Sequence, residues 1–226
     1  MWRYGDAGDK WKVKDGDVWV AGGNVLVCGD IEKIPIQRLF EKFGTPDLTY
    51  IDPPWNKGNL KSFFTKAGFK GAEVDFHKFM RRLISIAKQT RGPAYIEMGK
   101  QNINILVDTI EESGGIVLNI WDVTYYRKYP SKLARAIWGN FPYNKEINLS
   151  GLDDDNTPYE AIAKELLKPG AIVFDACTGR GLTCRAAYSN KKKFMGIELH
   201  PRRLAVAIDW LAEQGEQPRR AGTIHE

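Results

Sequence analysis

The chain has 226 residues, 43% of them hydrophobic and 27% charged, with a net charge of +5. That is enough apolar material for one full core. The mean hydropathy of -0.39 and the lack of any apolar run near ~18 residues exclude a membrane-spanning helix. Three cysteines (Cys28, Cys177, Cys184), never spaced C-x-x-C, and three histidines (His77, His200, His225) give no metal-ligand pattern. The expectation is a reduced, metal-free, cytoplasmic protein; the polar stretch from Met1 to Asp17 has no apolar signal region.

Residues 1–23 read as an irregular, glycine-bearing lead-in segment, in which Asp17 to Val20 forms a short strand or a loop. Asn24 to Cys28 is a buried strand ended by Gly29-Asp30, and Ile34 to Phe43 a short helix stopped by Gly44. Leu48 to Ile51 is brief and β-prone and follows the turn signal Gly44-Thr45-Pro46-Asp47, so it reads as a buried strand. Asp52-Pro53-Pro54-Trp55 then takes the chain out of the sheet, because two consecutive prolines lack N–H groups and fix φ. The result is a stiff loop presenting a carboxylate, a carbonyl and a flat aromatic, which suits a planar amine.

Residues 56–72 read as a Gly/Lys/Phe-rich substrate loop. Asp75 caps a helix with apolar positions Phe76, Phe79, Met80, Leu83, Ile84 and Ala87. A strand from Pro93 to Met98, a helix from Asn102 to Ser113 and a long strand from Ile116 to Tyr126 follow, and Leu133 to Trp138 returns as its antiparallel hairpin partner. Thr157-Pro158 opens a helix, Ala171 to Asp175 is a buried strand, Gly179 and Gly181 lead into a helix ending at Ser189, Lys193 to Glu198 is a strand, Pro201 to Gln214 the last helix, and 216–226 a frayed tail. Strands alternate with helices, so the sheet is expected to be mostly parallel with helices on both faces and one antiparallel hairpin, in a single domain spanning 1–226.

Two stretches carry chemistry besides the Asp-Pro-Pro-Trp loop. Asp175-Ala176-Cys177-Thr178-Gly179-Arg180-Gly181 lies at a strand-to-helix turn, where the glycines let backbone approach a ligand and the helix N-terminus favours a negative group. Glu198 ends the next strand, where an acid can accept both ribose hydroxyls of a nucleoside. Lysines and arginines are also concentrated between Lys57 and Lys100, ten against three acids, next to the first loop. That surplus suits a polyanion.

Asp52-Pro53-Pro54-Trp55 resembles the catalytic motif of S-adenosylmethionine-dependent amino-methyltransferases, and Pro158 to Asp209 resembles their cofactor half. The catalytic motif precedes the cofactor motif, which is the circularly permuted order of the β-class DNA adenine-N6 methyltransferases. The resemblance covers roughly residues 15–212 and implies a Rossmann-like α/β methyltransferase fold. It implies that Asp52 and the Pro53 carbonyl accept the amine hydrogens, with Pro54 and Trp55 completing the motif and Trp55 stacking on the base. It places Asp175, Ala176, Cys177, Gly179, Gly181 and Glu198 around S-adenosylmethionine, with Asn156 and Thr157 preceding a further cofactor motif. Asp30 matches a position near the adenine ring and could equally be a cap.

The chain departs from the pattern in having Ala176-Cys177 where Pro-Phe or Pro-Tyr is common, Arg180 where Ser or Thr often stands, and no large recognition domain. Sequence reading then falls to the loop 56–72, the hairpin 121–145, a second copy or a separate recognition subunit. Lys57, Lys61, Lys66, Arg127, Lys128, Lys132 and Arg135, interleaved with Phe63, Phe64, Tyr125, Tyr126 and Tyr129, are the expected nucleic-acid contacts. The expected partner is double-stranded DNA with its target adenine flipped out, in a bacterial or virus-infected bacterial cell, for restriction-modification or phage DNA modification. The rival readings are an RNA adenine-N6 methyltransferase, a DNA cytosine-N4 methyltransferase and a non-catalytic subunit that binds nucleic acid or cofactor.

Overall fold

The computed structural model describes residues 4–125, 128–139, 146–153 and 158–224. Its centre is one nine-stranded sheet in the order β5-β6-β4-β3-β7-β8-β2-β1-β9. The strands are β1 (Asp17–Ala21), β2 (Asn24–Cys28), β3 (Leu48–Ile51), β4 (Ala94–Gly99), β5 (Gly115–Tyr125), β6 (Tyr129–Trp138), β7 (Ile172–Asp175), β8 (Lys193–Glu198) and β9 (Arg219–Thr223). The helices are α1 (Tyr4–Trp11), α2 (Ile36–Phe43), α3 (Lys57–Lys66), α4 (Phe76–Ala87), α5 (Ile103–Glu112), α6 (Pro158–Leu166), α7 (Leu182–Ser189) and α8 (Pro201–Glu213). Among the described residues no helix is long and apolar enough to cross a membrane.

The five middle strands, β4-β3-β7-β8-β2, pair in parallel. Their side chains alternate between two buried faces. Val25, Val27, Ile51, Ile96, Phe174 and Ile197 pack with α2, α4 and α5, whereas Leu26, Tyr50, Tyr95, Val173 and Phe194 pack with α6, α7 and α8. Strands covered on both faces read as near-continuous apolar runs, which is why these five were legible from sequence.

The flanks differ from the expectation of a mostly parallel sheet with one hairpin. The β5–β6 hairpin is present, and β6 continues antiparallel onto β4. On the other side β1 pairs antiparallel with both β2 and β9, so the sheet is mixed. Gly22 and Gly23 form the two-residue connection between β1 and β2, both with positive φ (55° and 86°). A tight hairpin turn requires that conformation, and glycine adopts it without strain.

Three further expectations are corrected. The lead-in segment is not irregular over its described residues, 4–23: α1 packs on α8, with Trp11 Nε1 and Lys10 Nζ both donating to Asp209 Oδ1 (2.8 and 2.7 Å). The tail is not frayed over its described residues, 216–224, since β9 forms the sheet edge and Arg220 Nε binds the buried Asp17 carboxylate at 2.6 Å. The segment 56–72 is not a loop throughout. Asn56 Oδ1 accepts the Asn59 N–H (2.8 Å) and starts helix α3, in which Leu60 is buried.

Candidate active site

The C-terminal ends of the parallel strands open into a cavity of about 560 Å³. Ligands in open α/β sheets bind at this edge. Each of the five strands brings an acid to the lining: Glu97 from β4, Asp52 after β3, Asp175 from β7, Glu198 from β8 and Asp30 after β2. The registers set them in a row. Ile51 pairs with Ile96, so Asp52 lies next to Glu97; Thr49 pairs with Phe174, bringing Asp175 alongside the end of β3; and Cys28 pairs with Glu198.

At the β3–β4 end, Asp52, Pro53, Pro54 and Trp55 all line the cavity. The Trp55 indole lies on the bare backbone of Gly99, where an added Cβ would sit 2.9 Å from the ring. Its N–H donates to Asp52 Oδ1 at 3.1 Å, and its carbonyl accepts from Asn102 Nδ2 at 2.7 Å. Trp55 therefore does more than offer a flat face: it orients one oxygen of the carboxylate three residues before it. Below this loop the fully buried Tyr50 donates its hydroxyl to Glu97 Oε1. Burial, and next the charge of Glu97, push the Tyr50 phenol well above its ordinary pKa.

At the β7–β8 end the turn after β7 is built as its glycines require. Gly179 and Gly181 both have positive φ (58° and 85°). A Cβ on Gly181 would meet Ala207 Cβ of α8 at 2.7 Å, and one on Gly179 would meet the Arg203 guanidinium at 3.0 Å. Asp175 is buried, with Oδ1 accepting the Cys177 N–H (2.8 Å) and Oδ2 accepting the Thr183 hydroxyl (2.7 Å). It shapes the Ala176-Cys177 turn by these bonds. Burial raises its carboxyl to about 7, against the lowering effect of the two hydrogen bonds, with Asp52 and Glu198 adding to the rise. Burial also pushes the Cys177 thiol well up, which keeps it protonated and unreactive.

Glu198 Oε1 accepts the His200 N–H at 2.8 Å, which holds the carboxylate at the start of α8. Asp30 Oδ1 accepts the Glu32 N–H (3.0 Å) in the following turn, and the residue lines the cavity. Asn156 and Thr157 lie outside the described residues, as does Arg127.

The basic residues separate into groups. Lys57, Lys61 and Lys66 are exposed on α3, which also brings Asn59, Leu60, Phe63 and Phe64 to the cavity wall. Lys128 is exposed and stands 5.6 Å from the ring centroid of Tyr129, which is 51% exposed and reaches the cavity mouth. Lys132 is partly buried and bound to Asp122 at 2.6 Å. Arg135 contradicts its expected role. It is 4% exposed, within β6 opposite Tyr95 and Asn119, and too deeply buried to meet a phosphate. Tyr50, Glu97, Asn102, Thr183 and Arg203 were not singled out from the sequence. For Glu97 the signal was present, an acid inside an apolar strand.

The residues present suit S-adenosylmethionine on two structural grounds. The turn from Asp175 to Arg180 borders the cavity and Gly179 lines it without a side chain, whereas Gly181 packs on Ala207 and does not line it; the row of acids suits a cationic ligand. No protein-family profile matches the chain, and no curated protein matches it by sequence. Solved structures do. M1.HpyAVI superposes with a TM-score of 0.60 at 19% identity, over 82% of this chain and 97% of that one, and the M1.HpyAVI–SAM complex with 0.61 at 18%, over 82% and 98%. TTHA0409 of Thermus thermophilus, complexed with S-adenosyl-L-methionine, gives 0.57 at 16% over 84% and 93%. The cytosine-N4-specific PvuII DNA methyltransferase gives 0.53 at 14% over 81% and 84%. At such identities the likeness is one of architecture, and the chain has the α/β methyltransferase fold.

Proposed function

We propose that the protein transfers a methyl group from S-adenosylmethionine to an exocyclic amine of a nucleic-acid base, and that the base is adenine in DNA, modified at N6. The observation that carries this reading is the opening of the Asp52–Trp55 loop and of the Asp175–Arg180 turn with Glu198 onto one cavity. The similarity to structures bound to S-adenosylmethionine and to a DNA methyltransferase supports it.

When bound, S-adenosylmethionine supplies an electrophilic methyl on a sulfonium. Glu198 holds the ribose hydroxyls, Asp30 borders the adenine end, and the turn from Asp175 to Gly181 contains the methionine portion. Asp52, oriented by the Trp55 N–H, accepts one hydrogen of the amine, and the Pro53 carbonyl accepts the other. The amine lone pair is delocalised into its ring, so fixing both hydrogens favours a pyramidal nitrogen aimed at the methyl. Asp52 takes the released proton. A paired base does not reach this depth, so the target is flipped out, with Trp55 and Tyr129 as stacking surfaces and Lys57, Lys61, Lys66 and Lys128 on phosphates. Sequence preference comes from α3, the β5–β6 hairpin or a second subunit.

The test uses purified protein and methyl-labelled cofactor with duplex DNA, single-stranded DNA and RNA, followed by base-resolution mapping. Label at adenine N6 of DNA, lost in Asp52→Ala, is the expected result. Label on RNA alone or at cytosine N4 reassigns the substrate. No label on any of them, with nucleic acid still bound, makes the protein a binding subunit.

A further inference from the structure

Among the five acids of the cavity, Glu97 has no part in the mechanism above. It is 6% exposed, lines the cavity, and sits beside Asp52 through the Ile51–Ile96 pairing. A buried carboxylate is costly to keep charged. Here the chain commits a second buried polar side chain, Tyr50, to fix it in place. The arginines of the lining, Arg180, Arg185 and Arg203, come from the β7–α7 turn, α7 and α8.

We propose that Glu97, held by Tyr50, is an electrostatic positioning residue that stabilises the positive charge arriving at the amine as the methyl is transferred. The inference rests on the amine-methylation reading. In that reaction the nitrogen lone pair forms the N–C bond, the C–S bond breaks with its electrons going to sulfur, and the nitrogen sheds a proton to Asp52. Positive charge thus moves from the β7–β8 end of the cavity, where the donor lies, to the β3–β4 end. A fixed negative charge beside Asp52 gains interaction energy along that path, and an interaction stronger in the transition state than in the ground state raises turnover.

Glu97→Gln keeps an oxygen for the Tyr50 hydroxyl and removes the charge. Turnover is expected to fall about tenfold or more, the scale of one lost electrostatic contact, with KM for DNA unchanged. A second readout needs no turnover: calorimetric affinities for S-adenosylmethionine and its neutral product S-adenosylhomocysteine. Loss of the charge should weaken the sulfonium ligand selectively, by about tenfold at a separation of about 12 Å screened as near a protein surface. A purely structural role would weaken both ligands alike and lower the melting temperature, and that result overturns the proposal. Tyr50→Phe, which leaves the charge but releases it, should lower turnover by a smaller factor, and serves if Glu97→Gln does not fold. Active wild type and inactive Asp52→Ala alongside a Glu97→Gln of undiminished turnover would sink the Glu97 role alone. A wild type that methylates no nucleic acid would sink the amine-methylation reading, while the affinity ratio still decides whether Glu97 senses the cationic ligand.

Discussion

Asp175 illustrates how a residue read as a ligand contact acts through its own turn. Both of its oxygens are engaged by Cys177 and Thr183, and burial raises its carboxyl to about 7. A raised carboxyl favours the folded state while protonated. Its contribution to stability is therefore fully present below the unfolded value near 3.8 and is lost as pH rises through about 7. Asp175→Asn retains an acceptor for the Cys177 N–H and does not titrate. Thermal melts of both proteins from pH 4 to 8 should show the wild type losing ground to the variant up to about 7, with a constant difference beyond. A pH-independent difference would refute the assignment. The raised pKa follows first from burial, with Asp52 and Glu198 adding to it, and the sequence alone did not show either. What was legible at this scale was the residue types: Asp52, Asp175 and Glu198 each close an apolar run, and all three line the cavity.

At the scale of elements, legibility followed hydrophobic pattern. The parallel strands were readable because burial on two faces demands uninterrupted apolar residues. Helix α3 was not: only Leu60 is buried, and Lys57, Gly58, Lys61 and Lys66 obscure any apolar stripe. Its start is set by one local bond, Asn56 Oδ1 to the Asn59 N–H. The α1 helix was missed for a related reason, as its apolar contact is small (Ala7 against Ala205 and Val206), and Asp209 secures its end. The β1–β2 hairpin did carry a signal, Gly22-Gly23 between two β-prone runs, which prescribes a tight antiparallel turn. Because α3 carries both cavity lining and exposed lysines, its cap links local stability to substrate binding. Asn56→Ala should destabilise the first turn by about 1 kcal/mol, equivalent to about a fivefold rise in opening. Amide exchange at Asn59 and Leu60 should increase by that factor while the amides of β3 and β7 stay protected; unchanged exchange at Asn59 would show that packing, not the cap, starts the helix.

Over the whole molecule, charge is sorted by depth. Acids occupy the buried strand ends, where Asp30, Asp52, Glu97, Asp175 and Glu198 line the cavity, while Lys57, Lys61 and Lys66 stand outside on α3. The first arrangement suits a cationic ligand held within and the second a polyanion laid across the mouth. The sequence showed the basic surplus near Lys57 but not its limits, because burial decides which cations meet solvent. Arg135 lies inside the sheet and does not contribute as expected, and Lys132 is held by Asp122. Each phosphate neutralised by an exposed cation adds about 0.9 to the steepness with which log affinity for B-DNA falls against log salt. Replacing Lys57, Lys61 and Lys66 together with alanine should therefore lower that slope by about 3 if each meets a phosphate. Affinity for S-adenosylmethionine, measured by calorimetry, should not change, since these side chains are exposed outside the cavity. Equal salt slopes for the variant and the wild type would move the nucleic-acid surface off α3 and leave the hairpin around Lys128 and Tyr129 to carry it.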